Sequence, residues 1–410
     1  MMLYDTPLRK LHDAYRPPLP AAAVGADRPG AARGTRRAGP TVEYISYGPP
    51  DDDGLIQCEI PATFGSLELE YAALRRGAGV IDAPHRATLR VSGADRLAFL
   101  DSMLTQSVAS MATGDVRHAF WLNRTGRIES DVRLVATTDA ILVDVDVHQA
   151  SSTVESLAGY VFTEDVEIAD LTPEWHRLSI HGPAAATRLA DVTGEPALAT
   201  LDDRTALECR SASTPLVVAR VDETGDPGFT LFVPRDAAGG LWQGLLAEDA
   251  DDPVRPAGWF AYNIARIEGG TALMNVDYGI KNLPHESRVL DDRVSFTKGC
   301  YLGQEIVARM QNLGRPKQIL VGFRVSGAGL PVAGGQVFGA DGVDPIGVVT
   351  SSTLSPLRSA QPIGFAMIKS AHADPDTAVR VSAEGELVDA VVTTLDHGRD
   401  AGPDAAASQA

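Results

Sequence analysis

Residues 297–316, TKGCYLGQEIVARMQNLGRP, divide the chain into a part rich in helical signals and a part with almost none. Ile306, Val307, Met310 and Leu313 fall on one helical face, and Gly314 followed by Pro316 ends the run, so a helix is predicted just after Cys300. A thiol ahead of a helix N-terminus, with Lys298 nearby, sits where positive charge favours thiolate over thiol. Free cysteine is also among the most buried residue types and often serves only as a small apolar side chain. The residues alone leave both readings open.

Beyond Pro316 the runs KQILVGFRVSG, QPIGFAMIK, AVRVSA and LVDAVVTTL are short, β-type and separated by Gly, Pro and Asp turns. They predict a small all-β barrel or sandwich over 315–397. The hydroxyl-rich GVVTSSTLSP has no Gly-x-Ser-x-Gly elbow and reads as a loop of that domain.

Before the helix, residues 61–314 read as an α+β core of two related halves. In SLELEYAALRRGAGVID, Leu67, Tyr71 and Leu74 have helical spacing, Ser66 can cap and Gly77 can stop the helix. ATLRVSGADRLAFLDSMLT is a strand carrying Leu89 and Val91, a glycine turn, and a helix with the stripe Leu97, Leu100, Leu104. The same strand–Gly–helix unit returns in HRLSIHGPAAATRLADVTG, where Pro183 suits a first helical turn. Residues 1–60 form an N-terminal segment containing a flexible Pro/Ala/Arg-rich insertion at 17–53, and 398–410 reads as a disordered tail.

Composition sets the outer limits. With 410 residues, 44% hydrophobic and 22% charged, the chain has the balance of a soluble globular protein of two or three domains. A formal net charge of −18 disfavours broad binding to nucleic acid or anionic membrane, since both reward a cationic surface. Cys58, Cys209 and Cys300 are odd in number and far apart, which fits a reducing compartment and no disulfide framework. With no CxxC pair, this chain alone cannot supply the four thiolates of a usual iron–sulfur or structural zinc site; a site shared between subunits stays open. His176, His181 and His285 lack the i, i+4 spacing of a helical zinc site, so no stably bound metal is expected. No apolar run spans a bilayer and MMLYDTPLRKLHDAYRPPLP has no signal-type core, so a cytoplasmic location is expected.

KGCYLGQE, from Lys298 to Glu305, resembles the signature of the YgfZ family, folate-binding proteins of iron–sulfur cluster assembly and repair that are similar to the glycine-cleavage aminomethyltransferase. The resemblance extends through PLRKLHDA, EYAALRRGAGVID, LNRTGRIESD, RIEGG, LPHES and GVVTSSTLSP. It implies an aminomethyltransferase-like folate-binding core closed by the β-barrel. It also implies a tetrahydrofolate or derivative as ligand, and Cys300 as a functional thiol framed by Lys298, Gly299, Tyr301, Gly303, Gln304 and Glu305.

By the same resemblance, Asp226 in TGDPGF stands where a carboxylate holds the pterin; chemically, a carboxylate accepts two parallel hydrogen bonds from the pterin's donor edge. In LNRTGRIESD, Ser130 stands where the family's Gly-Gly-Ile-x-Asp-Asp pattern places a catalytic aspartate, and Asp131 remains. Glu286, and Arg266 with Glu268, match further family elements as pocket residues or a buried ion pair. Trp121, Phe120 and Trp259 are stacking candidates, and Arg315 and Lys317 are candidates for a glutamyl tail or surface charges. The implied function is a folate-binding accessory protein acting with iron–sulfur client or assembly proteins. The alternative is a folate-dependent aminomethyltransferase or demethylating one-carbon transferase, against which Ser130 weighs.

Overall fold

The computed structural model describes residues 5–15, 42–51, 53–247 and 254–397. Most of the 17–53 insertion and all of the 398–410 tail therefore lie outside the described residues. One part of the expected insertion is ordered: Glu43–Ser46 is a strand, paired antiparallel with Glu59–Thr63. Its Tyr44 hydroxyl meets the buried His12 Nδ1 at 2.9 Å, a tertiary tie that local composition does not reveal.

Two sheets form the core. The first has five antiparallel strands in the order Val116–Leu122, Ile128–Ala136, Ala140–Asp146, Arg86–Ser92 and Glu167–Asp170. The second has six, in the order Ala206–Ser211, Thr214–Arg220, Gly228–Pro234, Trp175–His181, Ala78–Asp82 and the parallel Val254–Pro256. The chain crosses from the second sheet to the first within residues 83–85 and returns through residues 171–174. These crossings place the ends of four strands at one seam.

The two strand–Gly–helix units are present as expected, and the reason for each glycine is steric. Gly93 (φ 102°) and Gly182 (φ 126°) have left-handed backbones, and an added Cβ would lie 2.0 Å from Asp165 O and 2.5 Å from Gly77 O respectively. They lead into helices Arg96–Met103 and Ala185–Thr193. Pro183 lies in the turn ahead of the second helix rather than in its first turn. Ser66 precedes helix Leu67–Arg76 without a side-chain cap; instead the buried Glu70 carboxylate accepts from the backbone N–H groups of Phe64, Ser66 and Gly258.

The C-terminal domain is a closed six-stranded barrel in the order Gln318–Val325, Gln361–Lys369, Pro345–Ser355, Gln336–Gly339, Ala378–Ala383 and Glu386–Thr393. GVVTSSTLSP, expected as a loop, lies mostly within the strand Pro345–Ser355. Its hydroxyls serve a buried contact with helix Trp259–Glu268: Ser351 Oγ accepts from Arg266 Nη2 at 2.6 Å, and Ser355 Oγ donates to Glu268 Oε1 at 2.5 Å. Polar composition there reports a domain contact. No helix of the described residues is long and apolar enough to cross a membrane.

Candidate functional site

The two sheets, the helix Trp259–Glu268 and the loops after it enclose a cavity of about 240 Å³. Its walls are built from alternate residues of buried strands. In Ile128–Ala136 the side chains of Asp131 and Arg133 line the cavity, while Ser130 points to the opposite face and shares a 2.6 Å hydrogen bond with Thr153 in the helix Ala150–Ala158. Parity along the strand thus settles what spacing could not. The carboxylate that reaches the cavity is Asp131, so Ser130 does not leave the cavity wall without an acid.

Asp131 is held from two sides. Arg293 Nε donates to its two oxygens at 2.9 and 3.0 Å, and the Tyr278 hydroxyl donates to Oδ2. Burial, with Asp131 close by, pushes the Tyr278 phenol well above its usual range, so it stays a proton donor at neutral pH.

A second ionic cluster occupies the wall between the sheets. Asp144 accepts from Arg86 Nε at 2.8 Å and Arg177 Nη2 at 3.0 Å, and Arg133 Nη1 lies 3.4 Å away. Burial acts to raise the Asp144 carboxyl, but Arg177, Arg86 and Arg133 outweigh it and hold it well below the carboxylate range. Arg133 also ion-pairs with Glu223 across the cavity, and the Tyr262 hydroxyl donates to the other Glu223 oxygen at 3.0 Å. Burial likewise opposes ionisation of Glu223, yet Arg133 and His181 keep it at about 2.

Arg133 Nε donates to His118 Nε2 at 3.0 Å, which leaves Nδ1 as the proton-bearing nitrogen facing Asp292 Oδ2 at 3.0 Å. Burial pushes this imidazole below its ordinary value, the neutral form that these partners require.

Several residues singled out by the sequence lie elsewhere. Asp226 is on the outer side of its hairpin, in a 2.5 Å ion pair with Arg75, which also binds Glu268 at 2.6 Å; Glu223, three positions earlier, faces the cavity. Arg266 is fully buried in a 2.5 Å ion pair with Asp277, and Glu286 accepts from Asn282 and Gln318 to hold its own turn, so both have structural partners outside the cavity. Trp121 is core: its Nε1 donates to Ser156 Oγ at 2.9 Å. Phe120 packs edge-on to Tyr278. Of the three stacking candidates only Trp259 lines the cavity. Arg315 and Lys317 are absent from its lining.

The motif 298–305 is a docking element with one free thiol. The Lys298 ammonium, 2% exposed at its side chain, donates to the carbonyls of Asp101, Leu104 and Gln106 at 2.5, 2.9 and 2.9 Å, closing the end of helix Arg96–Met103. Its hydrogen bonds go to these three carbonyls and none to Cys300. Tyr301 is buried, and Gly303 (φ 82°) brings the helix Gln304–Leu313 against the hairpin, where a Cβ would lie 2.9 Å from Asn123 O. Gln304 reaches back to Gly299 O at 3.5 Å, Gly299 has open space around it, and Glu305 and Cys300 are exposed. Among the described residues no group of His, Cys, Asp and Glu has the arrangement of a metal site.

Arg86, Arg133, Asp144, Arg177, Glu223 and Arg293 were not found from sequence. One signal existed: Asp144 and Asp146 stand in the apolar, β-type run AILVDVD, and carboxylates in a buried strand demand partners; the structure buries all seven positions.

Comparison with known proteins places this architecture. The GCVT N-terminal domain matches residues 53–298, and the glycine cleavage T-protein C-terminal barrel domain matches 318–396. The chain is 29% identical over 336 residues to an aminomethyltransferase of Geobacillus sp. (strain WCH70), covering 82% of this chain and 91% of the relative. It is 28% identical over 342 residues to one of Chlorobium chlorochromatii (strain CaD3), covering 82% and 91%. The crystal structure of glycine cleavage system aminomethyltransferase T from Bartonella henselae has the same fold, with a TM-score of 0.77 at 23% identity over 87% of this chain and 94% of that one. With the N-terminal domain match covering more than half of its length and the barrel match following it, the chain belongs to the glycine cleavage T-protein family.

Proposed function

We propose that the chain is a tetrahydrofolate-dependent one-carbon transferase of the aminomethyl or demethylating type, acting in the central cavity. The observation that carries this reading is Asp131, an acid on the cavity wall held in place by Arg293 and Tyr278. A fixed carboxylate stabilises positive charge developing on the nitrogen and carbon of a one-carbon donor, and needs no reorganisation to do so.

The residues present fit a reduced pterin. The cavity, about 240 Å³, is just below the range of roughly 300–1,000 Å³ for drug-sized ligands, which suits a bicyclic ring with its tail extending outward. Trp259 supplies an aromatic face. Glu223, ionised at neutral pH, keeps acceptor capacity beyond Arg133 and Tyr262 and takes over the pterin-edge role expected of Asp226. When bound, tetrahydrofolate supplies the amine that takes up the one-carbon unit. Arg293 and Tyr278 orient Asp131, and the enclosing sheets exclude water.

Calorimetric titration with tetrahydrofolate tests the placement. Glu223→Gln should weaken binding at least tenfold and Asp226→Ala leave it unchanged; the reverse ranking would refute the assignment.

A second reading keeps the likeness to the YgfZ branch: an accessory role toward iron–sulfur enzymes through Cys300. Its support is the exposed thiol on a loop pinned at Lys298 and Gly303. One thiolate cannot hold a cluster, so thiols of a partner would complete the ligand set, or the Cys300 thiolate would attack a partner's disulfide, forming a mixed disulfide and releasing the partner's other thiolate. Full support of iron–sulfur enzymes in cells by Cys300→Ser would remove this reading.

A further inference from the structure

We propose that Arg75 is a positioning residue for the cavity: from outside, it clamps the turn that aims the Glu223 carboxylate at the ligand. The effect on binding rests on the one-carbon reading above; the clamp itself rests on hydrogen bonds and close approach.

Glu223 is held in two separate ways. Its carboxylate is met inside the cavity by Arg133 and the Tyr262 hydroxyl. Its backbone belongs to the turn between Thr214–Arg220 and Gly228–Pro234, and a hairpin tip keeps one shape only where other elements hold it. Arg75, in the helix Leu67–Arg76, holds this one. Its Nη1 donates to Thr224 O at 2.7 Å and Asp226 Oδ2 at 2.5 Å, and its Nη2 donates to Ala265 O at 3.1 Å and Glu268 Oε2 at 2.6 Å. One guanidinium, 8% exposed at its side chain, thus ties the turn to the end of Trp259–Glu268, the helix that puts Trp259 and Tyr262 on the cavity wall.

Two further observations converge on the same backbone. Thr271 Oγ1 donates to Glu223 O at 2.6 Å, so the peptide after Glu223 is fixed by Thr271 and the next one by Arg75. A Cβ at Gly269 would lie 2.7 Å from Thr224 C, so the helix end and the turn touch directly. Glu268 in turn reaches the barrel, where its Oε1 accepts from Ser355 Oγ at 2.5 Å and Leu357 N at 3.2 Å. The barrel holds Glu268, Glu268 holds Arg75, and Arg75 holds the turn. A binding constellation works only when its groups stay within about 0.5 Å of their productive places, so a loosened turn is felt as lost affinity although Arg75 itself is absent from the cavity lining. Without the Asp226 carboxylate, Arg75 keeps Thr224 O and Glu268, which is why Asp226→Ala spares binding.

The test uses the full chain, with calorimetric titration of tetrahydrofolate and hydrogen exchange of the ligand-free protein. Arg75→Gln should weaken tetrahydrofolate at least tenfold. In a Glu223→Gln background the same change should cost less than about twofold, because Arg75 acts through Glu223; a merely structural role would give effects that add. Exchange over residues 222–228 should quicken at least tenfold while Trp175–His181 keeps its wild-type protection. Arg75→Lys, which keeps the charge beside Glu268 without the fork, serves where Arg75→Gln does not fold and should weaken binding at least threefold with the same dependence on Glu223.

Wild-type affinity in both Arg75 variants, or additive effects in the double variant, overturns the proposal. So does unchanged exchange over 222–228, whatever tetrahydrofolate does. A wild type that binds no tetrahydrofolate overturns the one-carbon reading instead, and exchange alone then decides the clamp.

Discussion

The segment 298–305 and the cavity wall handle charge in opposite ways. In the segment, distinctive residues sit side by side in the chain, and most of them are spent on holding it in place: Lys298 on three carbonyls, Tyr301 in the core, Gly303 on a hairpin. At the wall, the ionisable groups come from strands far apart in sequence and meet only when the two sheets fold against each other. A readable motif can therefore be chiefly architecture, while buried ionisable groups gather where the sequence offers little local pattern.

This contrast can be broken by experiment. The largest effect is expected at Asp144→Ala, which strands three arginines without their shared countercharge and should cost about 3–5 kcal/mol in urea unfolding. A loss below about 1 kcal/mol would show that the cluster is solvated and not a buried network.

Next is the pH response of the wall. Burial, with Arg86 adjoining, pushes His85 down to about 4; its ring lies 4.9 Å from that of Tyr47 and 5.8 Å from that of Trp259. Its folded value is below its unfolded value of 6.5, so the unfolded chain binds the proton first. The contribution is complete above pH 6.5 and is lost as pH falls toward 4, by about 3 kcal/mol in all. Glu223, held at about 2 in the fold against 4.5 unfolded, acts in the same direction at lower pH. Denaturant midpoints at pH 7.5 and 4.5 should fall steeply in the wild type and less in His85→Gln. Parallel slopes in the two proteins would remove His85 from the account.

Lys298→Met is expected to cost about 2 kcal/mol, because three carbonyls lose their donor. Cys300→Ser, at an exposed position of the same segment, should leave the unfolding midpoint unchanged. Equal effects at the two positions would mean that the segment does not separate anchor from thiol. Asp226→Ala is the smallest of the stability changes, about 1 kcal/mol, since Glu268 continues to hold Arg75.

Much of the fold was legible because periodicity survives tertiary context: the helices Leu67–Arg76 and Gln304–Leu313, the two glycine-turn units and four barrel strands follow from apolar spacing. The strand Pro345–Ser355 was not, since its hydroxyls are partners for Arg266, Asp277 and Glu268 in another domain. The cavity was hardest. Ile128–Ala136 alternates an apolar face (Ile128, Val132, Leu134) with a charged one (Glu129, Asp131, Arg133), so parity already puts Ser130 with the core side; what it does not say is that the charged face meets the other sheet instead of solvent. In the turn DETGDPG three carboxylates lie within five residues. Asp222 caps the turn at Gly228 N, Glu223 turns inward and Asp226 turns out to Arg75, a choice made by arginines more than 80 residues away in the chain.

The most direct test is the rate of tetrahydrofolate-dependent one-carbon transfer from an aminomethylated lipoyl carrier, measured for the wild type, Asp131→Asn and Cys300→Ser. Transfer by the wild type, a drop of about 100-fold or more in kcat for Asp131→Asn, and no change for Cys300→Ser are expected if the cavity carboxylate stabilises the developing charge. A wild type that binds tetrahydrofolate but transfers nothing, or an Asp131→Asn variant at the wild-type rate, would contradict it.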